Sequence, residues 1–376
     1  MKRVVVTGGM GFIGRNLLTA LGRRGDVDTR AFDVDDPPEA LRAALVQVDT
    51  VFHLAGVNRP QDPAEFQVGN VDFTRRLCEY LHESGARPTV VFASSIQAEL
   101  DNPYGASKAA AEGVLAAWSR SGGGPVAIFR LPNVFGKWGR PNYNSVVSTF
   151  CHNVAHGLPL RVDDPESSLK LIHVDDVVTA FLRTLDAPPL DVERRVVAPI
   201  TETTVGELAS RVRAFRVVQH APDVPDLSDR FTRALFSTYL SYLRPADLAF
   251  DFDTHVDERG ELAELLREIH AGQVFVSRTN PGITRGNHYH DIKVERFVVI
   301  EGEGVVRLRA LGEDEVHEYR VSGAVPQAVI IPPGTAHSIQ NVGQGVMVTL
   351  FWATEVFDPD RPDTYYEAVL PSGEQP

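Results

Sequence analysis

Only two cysteines, Cys78 and Cys151, occur in 376 residues. Two thiols cannot make a disulfide framework, and so few suit a reducing, cytoplasmic setting. Basic residues are outnumbered, 37 Lys and Arg against 50 Asp and Glu, which leaves a formal net charge of −13. That balance argues against nucleic acid or an anionic membrane as a partner. An anionic substrate must then be met by a local basic patch. No apolar run approaches the length of a membrane span, and there is no low-complexity tract. Lys2 and Arg3 before Val4–Val6 imitate a signal peptide. The apolar run breaks at once at Gly8-Gly9-Met10-Gly11 and no small-residue cleavage site follows, so a buried strand is expected there.

What is present is an ordinary globular composition, 43% hydrophobic and 23% charged, at a length that predicts two domains of unequal size. The chain opens as strand, turn and helix. Gly8, Gly11 and Gly14 follow the strand at G-x-x-G-x-x-G spacing, and Phe12, Ile13, Leu17, Leu18 and Leu21 keep a helical apolar stripe. Glycines here let backbone amides and the helix N-terminus approach a pyrophosphate. Gly8, Gly11, Phe12, Ile13, Gly14 and Arg15 are therefore candidate dinucleotide contacts. A second strand ends at Asp33, 19 residues past Gly14, the usual place for a carboxylate that binds an adenosine ribose. Asp33 favours NADH, whereas Arg15 and Arg30 can hold the extra phosphate of NADPH. A third strand runs into His53, Ala55 and Gly56, which can line the dinucleotide.

Around Asn102–Glu112 the chain carries chemistry. Tyr104 and Lys108, at i and i+4, share one face of an expected helix, so the lysine charge lies beside the phenol and stabilises its ionised form. Such a tyrosine gives a proton to a carbonyl oxygen as a hydride arrives, or takes one from an alcohol in reverse. Ser95, ending an apolar strand just upstream, offers a hydroxyl to the same oxygen. The β-α alternation predicts a parallel, doubly wound sheet with its ligand at the carboxyl edge, where all these segments fall. Beyond the next strand, Arg130, Lys137 and Arg140 gather with Asn133, Asn142 and Asn144. Cations and amides there suit a sugar diphosphate and its hydroxyls. His173, before a capped amphipathic helix, is either a substrate contact or structural.

On these residues the first 245 positions resemble the extended short-chain dehydrogenase/reductase family acting on nucleotide sugars. The motifs are TGGMGFIG, FHLAG, FASS, YGASK, RLPNVFG and IHVDDV, in family order and spacing. The resemblance implies a nicotinamide cofactor on Gly8, Gly11 and Gly14, with Ser95, Tyr104 and Lys108 catalytic and Lys108 also touching the cofactor. It implies a UDP-sugar substrate near Asn133, Lys137, Arg140, Asn142 and His173.

From about residue 246 to 376 the pattern turns to short strands between Gly, Pro and Asn turns, which predicts a small all-β barrel or jelly roll. His288 and His290, two apart on a strand, point to one face. Glu295 stands at an odd offset and joins them only if the chain turns near Asp291–Lys293. With the distant His337 they form a nitrogen and oxygen set for zinc or another divalent cation. The two segments match both cupin motifs, through Gly282, His288, His290, Glu295 and Gly302, and through Pro332, Gly334, His337 and Asn341. Some sugar epimerases of that shape instead use histidines as acid and base without a metal. Cupins often pair through their strands, so a homodimer is expected.

The combination resembles bifunctional enzymes of capsular polysaccharide synthesis of the CapF type, a likeness carried by HLAGVNRP, DNPYGASK, FGKWGRPNYNSV, STYLSYL, PGITRGNHYH and FDPDRPDTY. It implies a route to UDP-N-acetyl-L-fucosamine. The cupin would epimerise a UDP-4-keto-6-deoxy sugar at C3, and the reductase would use NADPH, or NADH given Asp33, to make UDP-2-acetamido-2,6-dideoxy-L-talose. A rival is an NAD-dependent 4-epimerase or dehydratase with a cupin that only binds sugar or builds a dimer. Dehydratases of this class usually need an acidic residue beside the catalytic hydroxyl, whereas Ile96, Gln97 and Ala98 follow Ser95.

Overall fold

The structure, a computed structural model, describes residues 1–219, 224–251, 254–257, 260–263, 273–355 and 360–370. It divides into two compact units, Met1–Val146 with Ser168–Thr203, and Val147–Ser167 with Thr204–Pro376.

In chain order the first half runs β1 (Lys2–Thr7), α1 (Phe12–Gly22), β2 (Val27–Phe32), α2 (Pro38–Ala44), β3 (Thr50–His53) and α3 (Ala64–Phe66). A π-helical stretch, Gln67–Asp72, leads into α4 (Phe73–Ser84), then β4 (Thr89–Ser95), α5 (Pro103–Arg120), β5 (Val126–Leu131) and β6 (Asn133–Phe135). After α6 (Val146–Ala155), which groups almost wholly with the second unit, come β7 (Ser168–His173), α7 (Val174–Asp186), β8 (Val192–Arg195) and β9 (Thr201–Thr204). Six of these strands form one parallel sheet in the order β2-β1-β3-β4-β5-β8.

Strand alternation explains why helices cover both faces. Val4 and Val6 point into a core with Leu17 and Leu21 of α1 and Val177 and Phe181 of α7. Val5, between them, points the other way, into a core with Leu77 and Leu81 of α4 and Leu115 and Trp118 of α5. Each such side chain contributes about 1.5–3 kcal/mol when fully buried. The expected doubly wound sheet is present.

The second unit continues with α8 (Val205–Val218), α9 (Arg230–Leu240), β10 (Ala249–Asp251), β11 (Thr254–Asp257), β12 (Gly260–Ala263), β13 (Gln273–Thr279) and β14 (Thr284–Tyr289). Then follow β15 (Glu295–Glu301), β16 (Glu303–Ala310), β17 (His317–Ser322), β18 (Gln327–Ile331), β19 (Thr335–Asn341), β20 (Met347–Ala353) and β21 (Tyr365–Tyr366). Two five-stranded antiparallel sheets result, β10-β18-β15-β20-β13 and β17-β16-β19-β14-β21. They meet where the Phe297 ring of β15 stands 5.6 Å from the His337 ring of β19. The all-β region expected from the turn-rich composition is present.

A single cut at 245/246 differs from these units, because α8 and α9 associate with the strands. Arg216 of α8 donates to the carbonyls of Val154 and Ala155 at 2.9 and 3.1 Å, closing the end of α6. Phe236 and Leu240 of α9 line a small cleft with Ile330 and Trp352. The Leu248 carbonyl accepts from Ile330 N at 2.8 Å, so the linker is already part of the β region.

Candidate functional site

β1 leads outward to β2 on one side while β3, β4 and β5 extend on the other, so a crevice opens beyond the carboxyl ends of β1 and β3. The glycine loop lies there. A Cβ on Gly14 would stand 2.2 Å from the Gly8 carbonyl oxygen, so only glycine lets α1 start this close to the strand. No side chain caps α1, whose N-cap is Gly11. Its first amides, including those of Phe12 and Ile13, are thus left to a phosphate. Asp33 follows directly on β2, and its Oδ2 accepts from Met10 N at 2.8 Å, tying the carboxylate to the loop. Arg15 stacks over Trp138, 5.1 Å from the ring centre.

Ser95 closes β4, and its Oγ accepts from Gln97 N at 3.1 Å. Just past the Ile96–Leu100 turn, Asn102 caps α5 by accepting from Gly105 N at 2.8 Å, with Pro103 in the first turn. Tyr104 and Lys108 therefore share one face of the helix, as expected. Burial raises the Tyr104 phenol above its ordinary pKa and the neighbouring Ser95 hydroxyl only partly offsets this, so the group is an acid at neutral pH. The sequence reading, in which Lys108 favours the ionised phenol, is corrected here. The ammonium lies instead over Phe92, 4.7 Å from the ring centre. A Cβ on Gly56 would come within 3.5 Å of Lys108 Nζ and 2.8 Å of Asn70 Oδ1, so the loop after β3 passes directly beside both. Burial pulls Lys108 down to about 8, with Glu112 acting in the opposite sense.

Two residues beside this set were given no role from sequence. Asn70, 3% exposed in the π-helical stretch, donates to Ser107 Oγ and the Val57 carbonyl, both at 2.9 Å, and accepts from Val57 N at 2.7 Å. It locks the loop carrying Gly56 to α5. Glu112, one turn beyond Lys108, accepts from Ser94 Oγ at 2.5 Å and takes a bidentate bond from Arg130 at 2.9 and 2.7 Å. The i, i+4 interval from Lys108 on one helix was the available signal for Glu112, and the sequence carried none for Asn70.

The basic patch is only partly as expected. Arg130 is committed to Glu112 and to Glu99, at 2.6 Å. Lys137 is 4% exposed and its ammonium lies 3.3 Å from Asp175 Oδ1. His173 Nδ1 stands 3.8 Å from the other oxygen of that carboxylate. Burial works to raise the Asp175 carboxyl, but Lys137 and His173 outweigh it and hold it below its ordinary value. Lys137 thus serves a partly buried charge cluster, which corrects its reading as a substrate contact, and His173, read as either a substrate contact or structural, stands beside the same carboxylate. Asn133, Arg140 and Asn142 are exposed, with Asn142 in the left-handed region at φ 54° and Arg140 over Tyr143 at 5.1 Å. His53 is corrected too. Its ring is 1% exposed, with Nδ1 2.8 Å from Thr7 Oγ1 and Nε2 2.9 Å from Thr74 Oγ1. Burial, with the Lys108 charge nearby, pushes it down to about 3, so it is a neutral strut beneath the loop rather than a ligand contact.

In the second unit His288, His290, Glu295 and His337 converge, with their ligand atoms all within 4.8 Å of one another. The turn required between His290 and Glu295 is there, since Asp291, Ile292 and Lys293 all donate backbone amides to the Asp363 carboxylate. His290 Nδ1 meets the Asp363 carbonyl and His337 Nδ1 meets the Thr335 carbonyl at 3.2 Å. A carbonyl only accepts, so Nδ1 carries a proton, which leaves Nε2 as the atom able to offer a lone pair toward the centre. Both Nε2 atoms lie buried, 3.2 Å from Glu295 Oε2, without a well-formed hydrogen bond. Three electron-rich atoms facing one another in a buried space fit a divalent cation of the zinc kind. Burial and the neighbouring His337 and His290 push His288 down to about 4.

The parallel sheet, the glycine loop and the Ser95–Tyr104–Lys108 set define a nicotinamide-dinucleotide enzyme class. The chain belongs to the NAD dependent epimerase/dehydratase family, which matches residues 4–197, and the family described as polysaccharide biosynthesis C-terminal domain matches residues 255–365. The UDP-2-acetamido-2,6-beta-L-arabino-hexul-4-ose reductase of Pseudomonas aeruginosa is 42% identical over 367 residues, 96% of this chain and 98% of that protein. The crystal structure of the capsular polysaccharide assembling protein CapF from Staphylococcus aureus matches with a TM-score of 0.66 and 38% identity, over 98% of this chain and 100% of that one. MoeE5 in complex with UDP-glucose and NAD matches with a TM-score of 0.51 and 28% identity, over 56% of this chain and 81% of its own. The resemblance to the CapF type holds across the whole chain. No helix among the described residues is long and apolar enough to cross a membrane.

Proposed function

We propose that the chain is a bifunctional nucleotide-sugar enzyme acting as a cytoplasmic homodimer, with residues 1–245 the reductase and 246–376 a cupin. The cupin epimerises a UDP-4-keto-6-deoxy-N-acetylhexosamine at C3. The reductase then converts the C4 ketone to UDP-2-acetamido-2,6-dideoxy-L-talose, on the way to UDP-N-acetyl-L-fucosamine. The observation that carries the reading is the Ser95–Tyr104 hydroxyl pair beside the glycine-loop crevice.

When bound, a reduced nicotinamide dinucleotide supplies a hydride, and a divalent cation in the His and Glu cluster polarises a carbonyl. Tyr104, protonated at neutral pH, donates its proton to the C4 oxygen. Ser95 holds that oxygen. Lys108 keeps a positive charge beneath the site and reaches the loop of Gly56. A ketone at C4 acidifies the proton at C3, and His288, His290, Glu295 and His337 supply the buried ligands and bases for its removal, with no one of them singled out as the base. Support for the substrate comes from the P. aeruginosa UDP-2-acetamido-2,6-beta-L-arabino-hexul-4-ose reductase, 42% identical along nearly the whole chain. Asn133, Arg140 and Asn142 are the exposed polar groups offered to the sugar diphosphate.

The decisive experiment mixes enzyme, UDP-4-keto sugar and each reduced dinucleotide, and identifies the product by NMR. The expected product is the 6-deoxy-L-talose derivative, and NADPH or NADH is ranked by rate. Recovery of an unreduced ketone with both cofactors would overturn the reductase half. No deuterium at C3 in heavy water would overturn the epimerase half.

A further inference from the structure

The turn between His290 and Glu295 does not support itself. Asp363 Oδ1 accepts from Asp291 N at 2.9 Å, and its Oδ2 accepts from Ile292 N at 3.1 Å and Lys293 N at 2.8 Å. The main-chain carbonyl of the same residue meets His290 Nδ1. Asp363 makes both contacts from the left-handed region, at φ 41°, where aspartate is better tolerated than most residues. Lys293 completes a bracket, its ammonium donating to the Pro362 carbonyl at 3.0 Å and Thr364 Oγ1 at 3.3 Å. Past Asp363 the segment stays on β14, pairing Tyr365 with Tyr289 and Tyr366 with His288.

We infer that Asp363 is the positioning residue of the His288, His290, Glu295 and His337 cluster. Its carboxylate gathers three consecutive amides in a charge-assisted nest, which folds the chain back so that Glu295 faces the histidines despite its odd offset. Its carbonyl fixes the tautomer and tilt of His290, leaving Nε2 toward the centre. One residue from the far end of the chain thereby sets two of the four ligands. This rests on the reading of the cluster as a divalent-cation site.

The test uses the full chain as Asp363→Ala and Asp363→Asn, with Glu367→Gln as control. That control removes the Arg309–Glu367 contact on the same segment, 2.5 Å, and touches no turn amide. Hydrogen exchange in metal-free protein reads the clamp directly. Asp363→Ala should lose at least about tenfold protection at residues 291–293, and Glu367→Gln should not. Zn2+ affinity, measured by competition with a chromophoric chelator, should fall about 10–100-fold in the Asp363 variants and stay unchanged in the control. The visible spectrum of bound Co2+ should also change, reporting altered geometry. Native exchange and native affinity in both Asp363 variants would overturn the inference. Asp363→Asn, which keeps side-chain volume and the main-chain carbonyl, serves should the alanine variant fail to fold. A native protein that binds neither Zn2+ nor Co2+ would sink the cation reading, while the exchange data would still decide whether Asp363 holds the turn.

Discussion

Lys108 Nζ lies 4.7 Å from the centre of the Phe92 ring, and Glu112 one helical turn on is the charge that opposes its neutralisation. Burial favours the neutral amine and holds the group near 8, so the ammonium is present below that pH and lost as pH rises through it. Ketone reduction should therefore fall on the alkaline side through about pH 8. Glu112→Gln removes the opposing charge and should move that limb to lower pH. A pH profile of the hydride-transfer rate checks it, and an unmoved limb would exclude the role. The same change breaks a largely buried pair with Arg130, and thermal melts should show a loss of about 3 kcal/mol.

Tyr104→Phe keeps the ring and its contact with Phe66, 5.7 Å between centres, but removes the proton. NAD(P)H oxidation by the keto sugar should drop by about 10²–10⁴-fold, with deuterium exchange at C3 retained. Ser95→Ala should cost less, since the phenol still reaches the oxygen. Loss of both activities in Tyr104→Phe would mean that the two reactions are not separable.

Gly14→Ala places a Cβ where the Gly8 carbonyl already stands, at 2.2 Å. Because that atom belongs to the backbone, the loop itself must shift. Dinucleotide affinity, followed by fluorescence of the reduced cofactor, should weaken at least about tenfold. Affinity equal to the native protein would show that the loop does not seat the pyrophosphate.

His337→Ala removes a side chain that is fully buried among its three partners. Bound zinc, measured by elemental analysis after dialysis, should fall to background, and C3 exchange should fall with it. Chelator treatment of the native protein should do the same and be reversed by added cation. Reduction of an already epimerised ketone should survive both treatments.

Much of this was legible along the chain. Strand and helix periods around Val4–Val6 and Leu17–Leu21 predicted a doubly wound sheet, and motif spacing brought Ser95, Tyr104 and Lys108 together because all three lie within one strand-to-helix connection. The histidine cluster was legible through two motifs, with the turn at Asp291–Lys293 stated as a requirement. The misreadings share a cause. Lys137 and His53 are residue types that suit ligands, but each is buried against partners distant in sequence, Asp175 for the first and Thr7 and Thr74 for the second.

What the sequence determined by itself is local: glycine spacing, the Tyr-to-Lys interval on one helix, the His-x-His pair on one strand, the periods that choose sheet or helix. These depend on backbone geometry within a turn or two, which a residue's near neighbours set. Only the tertiary structure decided that Glu112 tempers Lys108 with Arg130 behind it, and that Asp363 holds the turn before Glu295. Charge and hydrogen bonding act over a few ångströms of space, whatever the distance along the chain, and folding alone chooses which groups come that near.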